Sequence, residues 1–571
     1  MNSLSRNLLR IGVLGIWPLI LLLSFLFLLR HRQDRETLKK YGKNILLNSI
    51  LFAVLLSIAV FLFFRIEDTV YSYDYAGHWI RSLQLQKWFY EDPAHILPEL
   101  FRSMNENDYS FLPGVLSLFL TLWQTSYGWF CLSIIWAYLF PLTLLLQLIY
   151  FRFYTNRYLP LLIGIIFYPL WFILFNGESD GGGLFFVTMI LALLLARPYE
   201  ESDLIDHLAV NLYAFLMIFF RRWYLYVLIV CYLLILVRYL LQYRKDLLSK
   251  ESLQHLLYTV LTGLPALLVI LIFFRPFVGR VLGSNFSEAY SFYDRSGKLA
   301  ALINFFSLPI LLISLYGLYG LYQKKRYAWI AAILTAIILP TFLFWRIQSY
   351  EHHHYCIILL PILTAFTEGL HSFSDKKIIL LPLSILLAVQ SFLIFTPVKA
   401  PLLTSVKRIP DTETAKYKNE LLQFSLQLRE LTSGEGISAY LASGSSVLND
   451  DMIRNVLLPD LDQPQIDTAV LDLRDGFPKD LEYIRYVILI DPIQYLNKDY
   501  QHIYEVITEA IQKEPLVKEL YQPVYETKID ELKVTVYERT GDFSPAVKEY
   551  FYQKMLEYYP DKADFFAYIL D

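Results

Sequence analysis

The sequence predicts an α-helical polytopic membrane domain followed by a soluble C-terminal α/β domain. Three observations carry this. Of 571 residues, 56% are hydrophobic and only 18% charged, whereas a soluble globular protein carries about a quarter charged residues. Apolar runs long enough to cross about 30 Å of hydrocarbon recur from near residue 8 to residue 397. After Lys399 the runs shorten, charges become frequent and strand-like pieces alternate with amphipathic stretches.

The apolar runs lie near 8–29, 44–65, 128–150, 158–175, 183–197, 205–220, 223–242, 254–275, 302–322, 327–345, 355–370 and 378–397. They predict about twelve transmembrane helices. The first run lacks a small-residue cleavage site and a second follows at once, so it is expected to be retained. Aromatics make up 16% of the chain, and many sit near run ends, where amphipathic rings favour the membrane interface. Cys131, Cys231 and Cys356 all fall inside apolar runs, which supports neither a disulfide framework nor a thiolate metal site.

Orientation follows from Lys and Arg, because positively charged short loops stay in the cytoplasm. Arg30, Arg32, Arg35, Lys39, Lys40 and Lys43 fill the first connection. Arg152 and Arg157, Arg238 to Lys250, Lys324 to Arg326, and Lys376 with Lys377 fill later ones. One alternation makes all of these cytoplasmic, provided that Phe111 to Trp123 is a dipping helix and not a full crossing. The chain then divides into a transmembrane domain, 1–398, with an outer loop at 66–110, and an extracytoplasmic domain, 399–571. A multi-pass plasma membrane protein is expected. The net charge of -3 and the lack of a basic tract point to no nucleic-acid partner.

In the C-terminal part, 437–442, 486–490 and 532–537 read as buried strands, and 414–431, 500–513 and 544–558 have helical periodicity. The glycines at 434, 436 and 444 match neither a dinucleotide fingerprint nor a Walker loop, so they read as turn glycines. There is no fixed-period repeat.

Polar chemistry gathers on the expected outer face. The first loop reads Arg65-Ile-Glu67-Asp68-Thr-Val-Tyr-Ser-Tyr-Asp74-Tyr-Ala-Gly77-His78-Trp79, where a helix leaves the membrane. A base for chemistry on a lipid phosphate must lie close to the membrane surface, which makes Asp68 and Asp74 candidates. Simple solvation of helix-exit carboxylates is the plain alternative. Asp108, in Asn105-Glu106-Asn107-Asp108-Tyr109, suits a helix cap or a substrate contact. A second acidic turn, Asn176-Gly-Glu178-Ser-Asp180-Gly-Gly-Gly183, has glycines that permit tight turning or close ligand approach.

Arg221 and Arg222 interrupt an apolar run from Leu212 to Val237. Ionisable groups at such depth are functional candidates by default, and a lipid phosphate would repay their burial; snorkelling at a helical hairpin is the alternative. Trp345-Arg346-Ile-Gln348-Ser-Tyr350-Glu351-His352-His353-His354-Tyr355 closes another span. Neighbouring helical residues point about 100° apart, so one or two of these histidines would share a site. Arg346, Gln348, His353, His354 and His78 are candidates for substrate or phosphate binding. Glu178, Asp180 and His353 are candidate ligands of a divalent metal.

Tyr-Asp74-Tyr-Ala-Gly-His-Trp79, Asn107-Asp-Tyr-Ser-Phe-Leu-Pro113 and Arg346-Ile-Gln-Ser-Tyr-Glu-His-His-His-Tyr355 look like strings of bacterial cell-envelope proteins of the GT-C superfamily of membrane glycosyltransferases. The architecture over roughly 44–397 resembles that superfamily, whose relatives include protein O-mannosyltransferases, oligosaccharyltransferase catalytic subunits and the aminoarabinose transferase of lipid A. The resemblance implies inverting transfer of a sugar from a polyprenyl-phosphate donor to an envelope glycan or lipid on the outer face. It gives the base to Asp74 or Asp68 and metal or acceptor binding to Asp180. The chain departs from the family pattern by an extra N-terminal span and by lacking an Asp-Glu or Asp-x-Asp pair in the first loop. A glycolipid transporter or an envelope-assembly scaffold is the rival reading; recurrence of acids and bases on one face favours an enzyme, since transport would place polar groups in paired broken helices at mid-span.

Overall fold

The computed structural model describes residues 3–106, 109–197, 199–283, 294–374, 376–400, 403, 406–433, 439–496 and 501–571. The chain forms two compact units. The first takes most of the chain up to Ile409; the second takes Pro410–Asp571 together with Arg65–Ala76. The second unit thus begins after Lys399 and recruits a piece of the first loop.

The first unit is helical. Its helices are α1 (Ser3–Leu29), α2 (Arg32–Phe64), α3 (Asp74–Glu91), α4 (Ile96–Glu106), α5 (Leu112–Thr121), α6 (Tyr127–Ile134), α7 (Phe140–Phe153), α8 (Leu159–Ile166) and α9 (Gly181–Ile190). There follow α10 (Leu204–Phe220), α11 (Tyr224–Tyr243), α12 (Lys250–Phe273), α13 (Arg275–Gly283), α14 (Arg295–Phe306), α15 (Leu308–Gln323), α16 (Tyr327–Trp345), α17 (Cys356–His371) and α18 (Lys377–Leu393). Among the described residues, six helices are long and apolar enough to span a bilayer, counting α6 and α7 as one through the π-helical turn Ile135–Leu139, or seven if α14 and α15 count as one. That pair bends by 89° at Ser307, whose φ of 67 lies in the left-handed region. The chain is a multi-pass membrane protein. Several runs that read as spans are shorter apolar helices, among them α9 with its extension to Leu195, α10 and α18.

The run 158–175 is not one helix. α8 stops at Ile166, and tight 3-10 turns at Tyr168–Leu170 and Phe172–Asn176 carry the chain to the acidic turn. Every residue from Ile166 to Ile190 is buried. Irregular backbone is tolerated at membrane depth only where protein covers it, so burial is what permits this segment. At ten residues and about 1.5 Å per residue, α5 is too short to cross about 30 Å of hydrocarbon.

Close helix contacts rest on small residues. A Cβ on Gly317 of α15 would run into the Ala365 carbonyl of α17, and one on Gly369 into the Ile313 carbonyl. Glycine allows the two backbones to touch, as is common where lipid provides no hydrophobic drive. α1 is anchored by Trp17, whose indole N–H donates to the Ala137 carbonyl at 2.8 Å, and by Arg10, whose Nε donates to the Phe89 carbonyl at 2.8 Å.

The second unit is a five-stranded mixed sheet with helices on both faces. Strands β1 (Ala439–Leu441), β2 (Ile466–Asp467), β3 (Tyr486–Asp491), β4 (Tyr521–Ile529) and β5 (Leu532–Arg539) lie in the order β2-β1-β3-β5-β4. β1 is parallel to β2 and β3, while β5 is antiparallel to β3 and β4. Period-2 alternation sorts side chains between two cores. Ile488 and Ile490 join Leu421, Phe424 and Leu428 of α19 (Lys418–Leu431) and Met452 of α20 (Asp450–Asn455). Val487 and Leu489 join Ile503 and Ile507 of α21 (His502–Lys513) and Phe551 of α22 (Pro545–Tyr558). Arg65–Ala76 is stitched into the first of these cores by Val70. Thr69 Oγ1 donates to Asp411 at 2.6 Å, the Tyr73 N–H to Asp451 at 2.6 Å, and Asn455 to the Tyr71 carbonyl at 2.8 Å.

Candidate active site

The acidic turn and the arginine turn meet inside the first unit. α10 is started by Asp203, whose carboxylate accepts the N–H groups of Ile205 and Asp206, and its regular backbone ends where Arg221 turns extended (φ -151, ψ 126). Three residues later α11 begins, so Arg221 and Arg222 occupy the turn between two helices. Arg221 points inward and is 3% exposed; Arg222 is half-buried. Arg221 is therefore not a snorkelling cation.

Asp180 stands at the start of α9 and is 0% exposed. Negative charge at a helix N-terminus is favoured by the aligned peptide dipoles. Its Oδ1 accepts from the Trp223 indole at 3.1 Å and lies 3.4 Å from Arg221 Nε. Tyr224 donates to its backbone carbonyl at 2.7 Å. Its Oδ2 makes no hydrogen bond among the described residues. Arg221 also donates from Nη1 to His78 Nε2 at 2.9 Å and stacks on Trp223 and Tyr109, 3.9 Å and 5.1 Å from the ring centroids. Because Nε2 accepts from a cation, His78 is neutral with its proton on Nδ1. Burial, with Arg221 beside it, holds His78 well below the usual imidazole range.

The glycines make room for aromatic rings and for one tight turn. A Cβ on Gly182 would overlap the Phe220 and Tyr138 rings, one on Gly183 the Tyr224 ring, and one on Gly77 would come within 2.9 Å of Tyr109. Their space is filled by aromatic rings that wall the site. Gly177 has a φ of +69, which only glycine adopts without strain, and a Cβ there would strike Tyr127.

A second polar chain lies in the same unit. His353 Nδ1 is 3.4 Å from Glu178 Oε1, and its Nε2 is 3.1 Å from His354 Nε2. His354 Nδ1 accepts the Glu351 N–H at 3.1 Å, so a neutral His354 carries its proton on Nε2 and donates it to His353. His353 then carries its proton on Nδ1, toward Glu178. The Gln348 amide nitrogen lies 3.0 Å from His354 Nε2. Burial, followed by His353 and the two arginines, lowers His354 well below the usual range. His352 turns away to Phe172 and Phe305, with ring centroids 5.3 Å and 6.1 Å off, and burial pushes it down to about 4. Two of the three histidines share one site.

The structure thus brings together Asp180, Arg221 and His78, and separately Glu178, His353, His354 and Gln348. Trp223 bridges the two groups, its ring 5.0 Å from His353 and 4.7 Å from His354. Of the candidate metal ligands, Glu178 and His353 meet while Asp180 turns to Arg221. Both nitrogens of His353 are engaged, so an ion at Glu178 would have to displace one of these contacts. Arg346 is exposed just beyond the C-terminal end of α16. Asp68 is exposed and paired with Lys418 at 2.5 Å, within the second unit. Asp74 is the half-buried first residue of α3, one turn before His78 in that helix. Asp108 lies outside the described residues.

Asn176 and Ser179 are additions to the candidates. Both are buried, at 1% and 2% exposure, and neither the Asn176 amide nor the Ser179 hydroxyl makes a side-chain hydrogen bond among the described residues. Buried polar groups are normally satisfied, so both are suited to a hydrogen-bonding ligand or a water molecule. The signal in the sequence is polar residues closing an apolar run.

No protein-family model and no curated protein sequence matches the chain. Solved structures similar to it include ArnT from Cupriavidus metallidurans in the apo state, at 11% identity and a TM-score of 0.49, covering 85% of this chain and 97% of that one. The same protein bound to undecaprenyl phosphate gives a TM-score of 0.41 at the same identity and coverage. The archaeal oligosaccharyltransferase AglB from Archaeoglobus fulgidus, in complex with an inhibitory peptide and a dolichol-phosphate, gives 0.34 at 11% identity, covering 86% of this chain and 74% of that one. Scores of this size leave substrate and reaction to be argued from the residues.

Proposed function

We propose that the chain is a membrane glycosyltransferase that moves a sugar from a polyprenyl-phosphate donor to a cell-envelope acceptor on the outer face. The observation that carries this is the buried Asp180–Arg221 pair, in which one carboxylate oxygen is held by Trp223 and Arg221 and the other makes no hydrogen bond among the described residues. A buried carboxylate with a spare oxygen is suited to a hydroxyl of the sugar or the acceptor. A fixed guanidinium is suited to a phosphate.

In the reaction, the acceptor hydroxyl oxygen attacks the anomeric carbon and its proton passes to a carboxylate. The bond from that carbon to the phosphate oxygen breaks, and polyprenyl phosphate leaves with one more negative charge. Arg221, already oriented by Asp180, His78 and two aromatic rings, would stabilise that charge without reorganising. Arg222 and Arg346, both more exposed, would meet the headgroup as it arrives. The family resemblance gives the base to an acid of the first loop. We take Asp74 as that base, since Asp68 is ion-paired at the surface.

The test is release of polyprenyl phosphate from defined polyprenyl-phosphate sugars by membranes containing the full chain. A general base contributes about 10²- to 10⁴-fold, so Asp74→Asn should lose activity in that range while Asp68→Asn stays near wild type. Asp180→Asn should lose activity while the chain still inserts. Normal turnover in both the Asp74→Asn and Asp180→Asn variants would exclude the transferase reading and favour the glycolipid transporter.

A further inference from the structure

A second charged cluster lies at the other end of the first unit, where α2 begins and α7 ends. Asp34, fully buried, accepts from Arg152 Nε at 2.7 Å and pairs with Arg197 Nη2. Both arginine side chains are buried as well, at 0% and 1% exposure. Two guanidiniums therefore share one carboxylate, and buried charge is normally balanced. Arg152 Nη2 and Arg197 Nε and Nη1 make no hydrogen bond among the described residues. Arg238 donates to the carbonyls of Leu195 and Arg197, fixing the Arg197 backbone.

Arg197 lines a cavity of about 790 Å³ that runs between α9, α11, α16 and α17. Its walls are apolar along most of their length, with Leu191, Val230, Ala332 and Leu360 among them, and reach up to Cys356. The charged lining is confined to one end: Arg197, which shares Asp34 with Arg152, together with Arg238 and Arg326 and one carboxylate, Glu368, which is already matched by Lys324 and the Tyr154 hydroxyl. A long apolar slot ending in excess guanidinium charge has the chemistry of a lipid site. Arginine forks match phosphate oxygens bidentately.

We propose that this cavity holds a lipid bearing an anionic phosphate headgroup, with its hydrocarbon chain between α11 and α16 and its phosphate on Arg197, Arg238 and Arg326. The site is separate from the Asp180–Arg221 pair, and the proposal stands whether or not the transferase reading does. A membrane phospholipid and a polyprenyl phosphate both offer this chemistry.

The full chain is reconstituted in phosphatidylcholine nanodiscs doped with either phosphatidylglycerol or a polyprenyl phosphate, and retained lipid is read by native mass spectrometry. Retention of an anionic lipid over phosphatidylcholine is expected, and the dopant retained identifies the source. Arg197→Gln and the pair Arg238→Gln with Arg326→Gln should each lower retention by about tenfold or more, the scale of one charge-assisted hydrogen bond. Ala332→Phe, which fills the slot and leaves every charge in place, should do the same and keeps the test decisive if Arg197→Gln fails to fold. Equal retention of phosphatidylcholine, or wild-type retention in both the Arg238/Arg326 pair and Ala332→Phe, would overturn the proposal.

Discussion

Arg221 and Arg222 are adjacent in sequence and unlike in environment. Removing one partner of a buried ion pair leaves the other charge uncompensated, at about 3–5 kcal/mol, so Arg221→Ala should lower thermal stability markedly as well as activity. Arg222→Ala, at a half-buried position, should lose donor use with a much smaller stability change. Thermal unfolding beside donor turnover separates the two, and equal destabilisation would contradict the burial argument. The buried histidines set a pH dependence. His78, His352 and His354 have folded values below the ordinary 6.5, so below that pH the unfolded chain binds protons that the folded chain does not. The contribution of His352 is fully present above about pH 6.5 and is lost as pH falls toward about 4, and His78 and His354 act in the same direction. Melting temperature should fall over that window, and less steeply in a His352→Phe variant.

At the scale of elements, two local devices position the rest. α9 opens on three glycines, each about 1 kcal/mol worse than alanine in a helix interior; the Phe220, Tyr138 and Tyr224 rings explain Gly182 and Gly183, while a Cβ on Gly181 would come within 3.1 Å of Leu139. Gly183→Ala should gain helix propensity yet destabilise by about 1–3 kcal/mol through overpacking, visible as reduced yield of folded protein. In the second unit Asp472 caps α21 from a distant position, accepting the His502 N–H at 2.8 Å and the Tyr559 hydroxyl at 2.9 Å. Burial raises its carboxyl to about 6 despite these bonds, so its ionised form is costly and its hydrogen bonds offset that cost. Asp472→Ala should cost about 1–2 kcal/mol, as loss of a helix cap does, and hydrogen exchange in His502–Lys513 should rise selectively.

For the whole molecule, loop charge gives the orientation prediction. A tag after Lys399 should be reachable from outside intact cells, and one between Lys324 and Arg326 protected. A cytoplasmic C-terminal tag would put the acidic loops in the wrong compartment for an outer-face transferase. Much of the second unit was legible locally. The strands expected at 486–490 and 532–537 are β3 and β5, and the helices expected at 414–431, 500–513 and 544–558 lie within a few residues of α19, α21 and α22. β4 was not foreseen, because it is an edge strand with mostly exposed residues between its buried ends and gives no run of apolar positions.

Sequence by itself determined that the chain crosses a membrane many times and which polar positions are unusual. Those properties are sums over local composition, and lipid enforces them strictly. Tertiary structure decided which unusual residues work together. Hydropathy does not distinguish a helix from buried irregular backbone, so the path through Phe167–Asp180 was set by the helices that cover it. Pairing of Asp180 with Arg221, of Glu178 with His353, and of Asp34 with Arg152 and Arg197 joins residues up to 175 positions apart in the first unit, and inside the second unit Thr69 with Asp411 and Asn455 with Tyr71 are 342 and 384 positions apart. Such contacts arise from packing, which no local pattern encodes.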